Sequence, residues 1–94
     1  MAQIRSISQK HRDFVAEPMG EKSVQVVAGI GPAIGGRLSE KGFDKAYTIF
    51  GQYLVFGKDK ASFTGWLKEV GRANERYAGY CYNCLTVWCE NHFH

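Results

Sequence analysis

The residues best suited to chemistry lie between Val26 and Leu38, in the run Val-Val-Ala-Gly-Ile-Gly-Pro-Ala-Ile-Gly-Gly-Arg-Leu. Gly29 and Gly31 flank one apolar residue, so the chain can reverse within three residues while Ile30 plugs the seam between two short helices. Pro32 stands where the second of these helices begins, because its missing N–H costs nothing in a first turn. That helix would turn its unpaired N-terminal N–H groups outward, at a positive dipole end and with no obstructing side chain. Such an arrangement binds phosphate, and Ile34 and basic Arg37 follow within it. Two other phosphate chemistries fail. A nucleotide P-loop requires Gly-x-x-x-x-Gly-Lys-Ser/Thr, and no lysine follows here. A dinucleotide fingerprint requires its third glycine one position before Gly35, and a strand rather than a helix ahead of it.

Cys81, Cys84, Cys89, His92 and His94 form a second constellation, Cys-x-x-Cys followed by Cys-x-x-His, which invites a zinc reading. Helical geometry argues against it. Cys81, Cys84, Leu85, Trp88 and His92 fall on one stripe of a single helix, with Cys89 beside it, and one rigid helix does not wrap four ligands around an ion. We therefore expect core thiols and no metal, with the two histidines at a fraying end. His11 is a lone histidine, expected on the surface. No Gly-x-Ser-x-Gly, HExxH or paired-carboxylate spacing accompanies it, so neither catalysis nor a cofactor is expected.

The elements that must position these groups are helical. The chain has 94 residues, enough for one domain with a thin core, and no repeat or linker divides residues 1–94. At 45% hydrophobic and 22% charged residues the composition is globular rather than disordered. Ala46 to Gly57, a run of about twelve helix-forming residues without a charge, falls short of the roughly twenty that span a bilayer, so no membrane insertion is expected. The N-terminus lacks an apolar signal segment, and three cysteines are an odd number, so an intracellular chain with free thiols is expected. Twelve basic against nine acidic residues give a net charge of +3, which permits nucleic acid without demanding it.

The spacing predicts an all-α bundle of five or six short helices, with residues 1–7 flexible. Ser8 caps a first helix that carries Phe14 and Val15 inward and stops before Pro18. Ser23 opens a short turn carrying Val24, Val27 and Ala28. Pro32 starts the next helix, with Ile34 and Leu38 inward and Gly42 at its end. Asp44 caps a helix with Ala46, Tyr47, Phe50 and Leu54 on its face, closed by Gly57. Gly51 inside that helix fits either close approach by another helix, of this or a second subunit, or simple tolerance of the glycine. Phe63, Trp66, Leu67 and Val70 mark the cleanest amphipathic helix. Asn74 opens the last, which buries Cys81, Cys84, Leu85 and Trp88.

The glycine turn resembles the helix-hairpin-helix motif, which grips one DNA backbone without reading bases. The wider chain resembles the barrier-to-autointegration factor family. That resemblance rests on Ser8-Gln-Lys-His-Arg-Asp-Phe-Val-Ala-Glu-Pro-Met-Gly-Glu-Lys22, Ala28-Gly-Ile-Gly31 and Gly42-Phe-Asp-Lys-Ala-Tyr47. It continues through Gly51-Gln-Tyr-Leu-Val55, Trp66-Leu-Lys68, Asn83-Cys-Leu85 and Trp88-Cys89. The resemblance implies a helical homodimer that binds double-stranded DNA without sequence preference and bridges two duplexes. It implies LEM-domain proteins of the inner nuclear membrane and lamin as partners. It also implies a place in the nucleus, at the nuclear envelope and chromatin, and in the cytoplasm. By resemblance, phosphate contacts map to Gln9, Lys10, Gly29, Ile30, Gly31, Ile34 and Arg37, and to Asn74 and Arg76 at the start of the last helix. Ser8 matches a phosphorylation site. The dimer and LEM-domain groove maps to Phe14, Phe50, Gly51, Val55, Ser62 and Trp66.

Several positions depart from the family pattern. Ser62 replaces an apolar groove residue, Gly36 and Gly57 replace lysines, and Ile7 replaces a second phosphorylatable residue. Four residues precede the matched N-terminus, and His92 and His94 alter the tail. These departures allow an alternative expectation: a divergent paralogue that dimerises but bridges DNA or binds LEM domains weakly.

Overall fold

Polar caps and glycine stops divide the chain into five α-helices and one 3-10 turn, and the computed structural model describes residues 6–93 of them. The helices are α1 (Ile7–Ala16), α2 (Pro32–Glu40), α3 (Ala46–Val55), α4 (Lys60–Val70) and α5 (Glu75–His92), with the 3-10 turn at Val24–Val26. No strand forms among the described residues. A single antiparallel bridge joins Ser23 to Lys45.

Ser6, not Ser8, caps α1. Its hydroxyl accepts the Gln9 amide at 3.1 Å, and the helix begins two residues earlier than the sequence suggested. Ile7 is therefore the first helical residue of the segment expected to be flexible; residues 1–5 lie outside the described part. Asp44 does not cap α3 either. Its carbonyl accepts the Val24 amide at 2.9 Å across the bridge, and Lys45 becomes the N-cap without a side-chain bond. Ser23, Asp59 and Asn74 do cap their elements, each accepting a first-turn amide.

The eighteen residues of α5, about 27 Å of helix, form the spine. Helices α1 and α4 pack along it, and α3 packs on the 3-10 turn and on α5. Phe14, Leu38, Ile49, Tyr53, Phe63, Leu67 and Leu85 are core residues. On α3 the inward face is Ala46, Ile49, Phe50 and Tyr53, rotated from the expected one, and Tyr47 is 47% exposed. The carbonyls at the end of α1, orphaned before Pro18, are taken by α5. Trp88 Nε1 donates to Glu17 O at 2.9 Å, and Asn91 Nδ2 and His92 Nε2 donate to Val15 O at 3.2 and 2.8 Å. His92 also stacks on Trp88, with centroids 4.8 Å apart, so it is held rather than frayed. His94 lies outside the described residues.

Gly29 is where the turn meets the spine. Its φ of 87° lies in the left-handed region. A Cβ there would strike the Tyr77 carbonyl oxygen and stand 3.1 Å from the Cys81 amide nitrogen. Gly31 differs: its φ is −106°, open to any residue, and a Cβ would meet nothing within 4 Å. We therefore expect Gly29→Ala to destabilise the domain by about 3 kcal/mol or more, through strain and backbone collision. Gly31→Ala should cost less than about 1 kcal/mol. Denaturant melts of both variants check this.

Candidate nucleic-acid interface

The turn following Val24–Val26 sets Ile30 fully into the core, as expected of a seam residue. The first arm of the expected hairpin is shorter than a helix, a single 3-10 turn of three residues. It is followed by α2, whose N-cap is Gly31 and whose N1 residue is Pro32. In the first turn of a helix no backbone carbonyl takes the N–H groups, and here Pro32 has none. The donors that remain are on Gly31, Ala33 and Ile34. The Ile30 amide is not among them, because it donates to Val27 O at 3.0 Å.

These donors open into a cleft of about 310 Å³ lined by Ile7, Lys10, Gly29, Ile30, Gly31, Pro32, Ala33, Ile34 and Tyr77. The Lys10 ammonium donates to the Ile30 carbonyl at 2.6 Å. This bond places a cation from α1 beside the α2 N-terminus, where both favour an anion. Thus Lys10, Gly29, Ile30, Gly31 and Ile34 converge on one cleft. Gly29 lines this cleft with its backbone while also packing on α5.

A second cleft, about 500 Å³, shares Ile7 with the first. It is lined also by Ser6, Ser8, His11, Ala28, Arg76, Tyr80 and Asn83. Ser8 and Arg76 lie here. The Arg76 guanidinium is held against Tyr80, its Nε donating to the Tyr80 hydroxyl at 3.0 Å with the carbon 5.8 Å from the ring centroid. Glu75, its neighbour, is paired instead with Lys68 on α4 at 2.5 Å, which holds the carboxyl below its ordinary range.

Three expected phosphate contacts stand outside both clefts. Gln9 is exposed, and its side chain bridges Asp13 and Arg12 along α1 at 3.4 Å. Asn74 uses its side-chain oxygen to cap α5 at Tyr77 N. Arg37 is half-buried and donates from Nε to Gly71 O at 2.7 Å, tying α2 to the turn before α5. Tyr77, Tyr80 and Asn83 were not singled out from the sequence. The four-residue spacing of Arg76 and Tyr80, one helical turn, was the available signal.

Of the groove set, Phe14 and Phe50 both pack on Trp88, and Trp66 packs on Phe56 beside Val55. Phe14 is a core residue. Phe50 is buried under Trp88 and Phe93, at 5.0 and 5.8 Å between centroids. Trp66 is half-buried, packed edge-on against Phe43 at 5.0 Å. Ser62 is exposed in the first turn of α4, its amide donating to the Asp59 cap. Gly51, with open space around it, sits between Tyr47 and Val55 at four-residue spacing, and Val55 is 75% exposed.

The thiols sit in the core. Burial pushes Cys84 up to about 11 and Cys81 well above the ordinary thiol range, where both stay protonated at neutral pH. Among the described residues no cluster of three His, Cys, Asp or Glu side chains is placed to hold a metal ion. No helix among them is long and apolar enough to cross a membrane.

Residues 5–92 match the family described as barrier to autointegration factor. Barrier-to-autointegration factor A of Xenopus laevis is 62% identical over 85 residues, 90% of this chain and 94% of that protein. The Drosophila melanogaster protein of that name is 61% identical over 83 residues, 88% of this chain and 92% of its own. The Homo sapiens protein is 55% identical over 83 residues, 88% and 93% of the two chains. A match that runs from the cap of α1 to the end of α5, over every element that builds the two clefts, shows that the chain belongs to the barrier-to-autointegration factor family.

Proposed function

We propose that this chain is a non-catalytic chromatin protein of the nucleus that binds double-stranded DNA without sequence preference. As a homodimer it bridges two duplexes and links them to LEM-domain proteins and lamin at the nuclear envelope. The observation that carries the reading is the α2 N-terminus, with outward amides at Gly31, Ala33 and Ile34 and Lys10 held at Ile30 O. Backbone amides recognise phosphate oxygens, which every duplex presents alike, so such a grip positions DNA without reading bases.

Bridging needs a second copy, since one cleft grips one backbone. The ridge of Tyr47, Gly51 and Val55 on α3 supports one. Two of its members are large, apolar and exposed, and the glycine between them leaves room for another backbone. Exposed Ser62 and the open position at Gly36 favour a second reading, a divergent paralogue that dimerises but engages LEM domains or DNA weakly.

Three outcomes test the reading. Gly31→Glu should fold normally yet lose about tenfold or more in duplex affinity at low salt, by placing a carboxylate where phosphate would sit. The parent should show a log–log salt slope of about −3 per duplex and less than about tenfold preference between unrelated duplexes of equal length. A Gly31→Glu protein that binds like the parent rejects the α2 terminus as the site.

Ser8 is the proposed phosphorylation site, exposed in the cleft that also holds Arg76. Ser8→Glu should keep α1 folded, since an anion suits a helix N-terminus, while weakening DNA binding at low salt. Full affinity in that variant would place Ser8 outside the interface. Gly51→Glu should give monomers that still bind one duplex but no longer capture a second, because a charge at a packed interface is left unpaired. Light scattering with a two-colour duplex pull-down decides this, and a monomeric parent would reject bridging.

A further inference from the structure

We propose that the cleft lined by Ser8, His11, Arg76, Tyr80 and Asn83 is a second nucleotide site, which takes an unpaired base at the end of a duplex gripped by α2. The proposal rests on the duplex reading above and deepens it.

Size and position come first. The cleft holds about 500 Å³, within the range of small-ligand sites, and it adjoins the phosphate cleft through their shared residue Ile7. A strand whose phosphates lie on α2 therefore leads toward it. Between the two clefts stand two aromatic rings, Tyr77 in the wall of the first and Tyr80 in the wall of the second, 6.2 Å apart and tilted by 49°. Tyr77 is 40% exposed.

The chemistry of the walls selects the occupant. Arg76 is fixed against Tyr80 by a hydrogen bond and a cation–π contact, which presents a guanidinium and an aromatic ring side by side. Both planes stack on nucleobases, and neither distinguishes one base from another. Ser8, His11 and Asn83 each carry donor and acceptor groups that suit any base edge. No carboxylate lines either cleft among the described residues. The nearest acid in sequence to Arg76, Glu75, is committed to Lys68. The surroundings thus favour a polyanion with an accessible base. Bases inside a duplex are stacked on their neighbours and offer no face, so the occupant is a base without a partner.

The test uses the full chain and two ligands: a blunt duplex, and the same duplex with a short overhang bearing a fluorescent adenine analogue. The overhang should raise affinity roughly five- to tenfold over the blunt duplex and quench the analogue on stacking. Tyr80→Ala should remove the quench and bring the overhang-to-blunt affinity ratio, read in the variant itself, down to about one. Tyr80→Phe should keep both, since the ring remains. Asn83→Ala, at an exposed position, gives a second variant whose fold is secure and should reduce the gain. An overhang that binds no better than the blunt duplex overturns the second site and leaves the duplex reading standing. So does a gain that survives Tyr80→Ala. A parent that ignores blunt duplex but binds and quenches the overhang removes the duplex reading and keeps the site. A parent that binds neither ligand removes both.

Discussion

The approach of Gly29 to the backbone of α5 is the contact on which the rest of the molecule depends. With no Cβ, this residue takes a left-handed conformation and brings the turn within van der Waals reach of Tyr77 and Cys81. The Cys84 thiol meets the Ala28 backbone just beside it. Because the turn is seated there, Ile30 falls into the core, its carbonyl faces α1 to receive Lys10, and Gly31 is left in the open. The same seating brings the first turns of α5, with Arg76, Tyr77 and Tyr80, alongside the α2 terminus. One steric allowance thus aligns three helices around two clefts.

The two glycines of the turn do different work, and only one does it by conformational freedom. Gly29 is needed for its φ and for what it touches. Gly31 has ordinary backbone angles and touches nothing, so its value lies in the volume it leaves empty in front of the helix donors. In the proposed phosphate grip, amides and vacant space supply the geometry and Lys10 supplies the charge from a different element.

Much of the fold was legible in the sequence, and the reasons for what was not are local. Periodicity located all five helices, because each buries a face against α5 or its neighbours. Ser23 and Asn74 were readable as caps, since each precedes an apolar-periodic run. Ser8 and Asp44 misled. Ser6 lies two residues ahead with equal capping chemistry, and the Asp44 carbonyl takes the Val24 amide beside the Ser23–Lys45 bridge, which no local pattern records. The amides left open at Gly31 and Ile34 were legible because their chemistry is backbone and sequence-local. The tie from Arg37 Nε to Gly71 O was not, because the two residues lie 34 positions apart. The pairing of Lys10 with Ile30 and the joining of two clefts at Ile7 are tertiary facts with no signature in spacing alone.

The ties between the end of α1 and the end of α5 set the order in which the molecule is made. Trp88, Asn91 and His92 satisfy carbonyls at Glu17 and Val15, across separations of 71, 76 and 77 residues. The seat for Gly29 also lies on the last helix. A nascent chain that has emerged only through α4 therefore has a first helix with open carbonyl ends and a turn with nothing to rest on. Folding of the unit waits for α5 to leave the ribosome, and loss of the last turn of α5 acts first on the far end of α1.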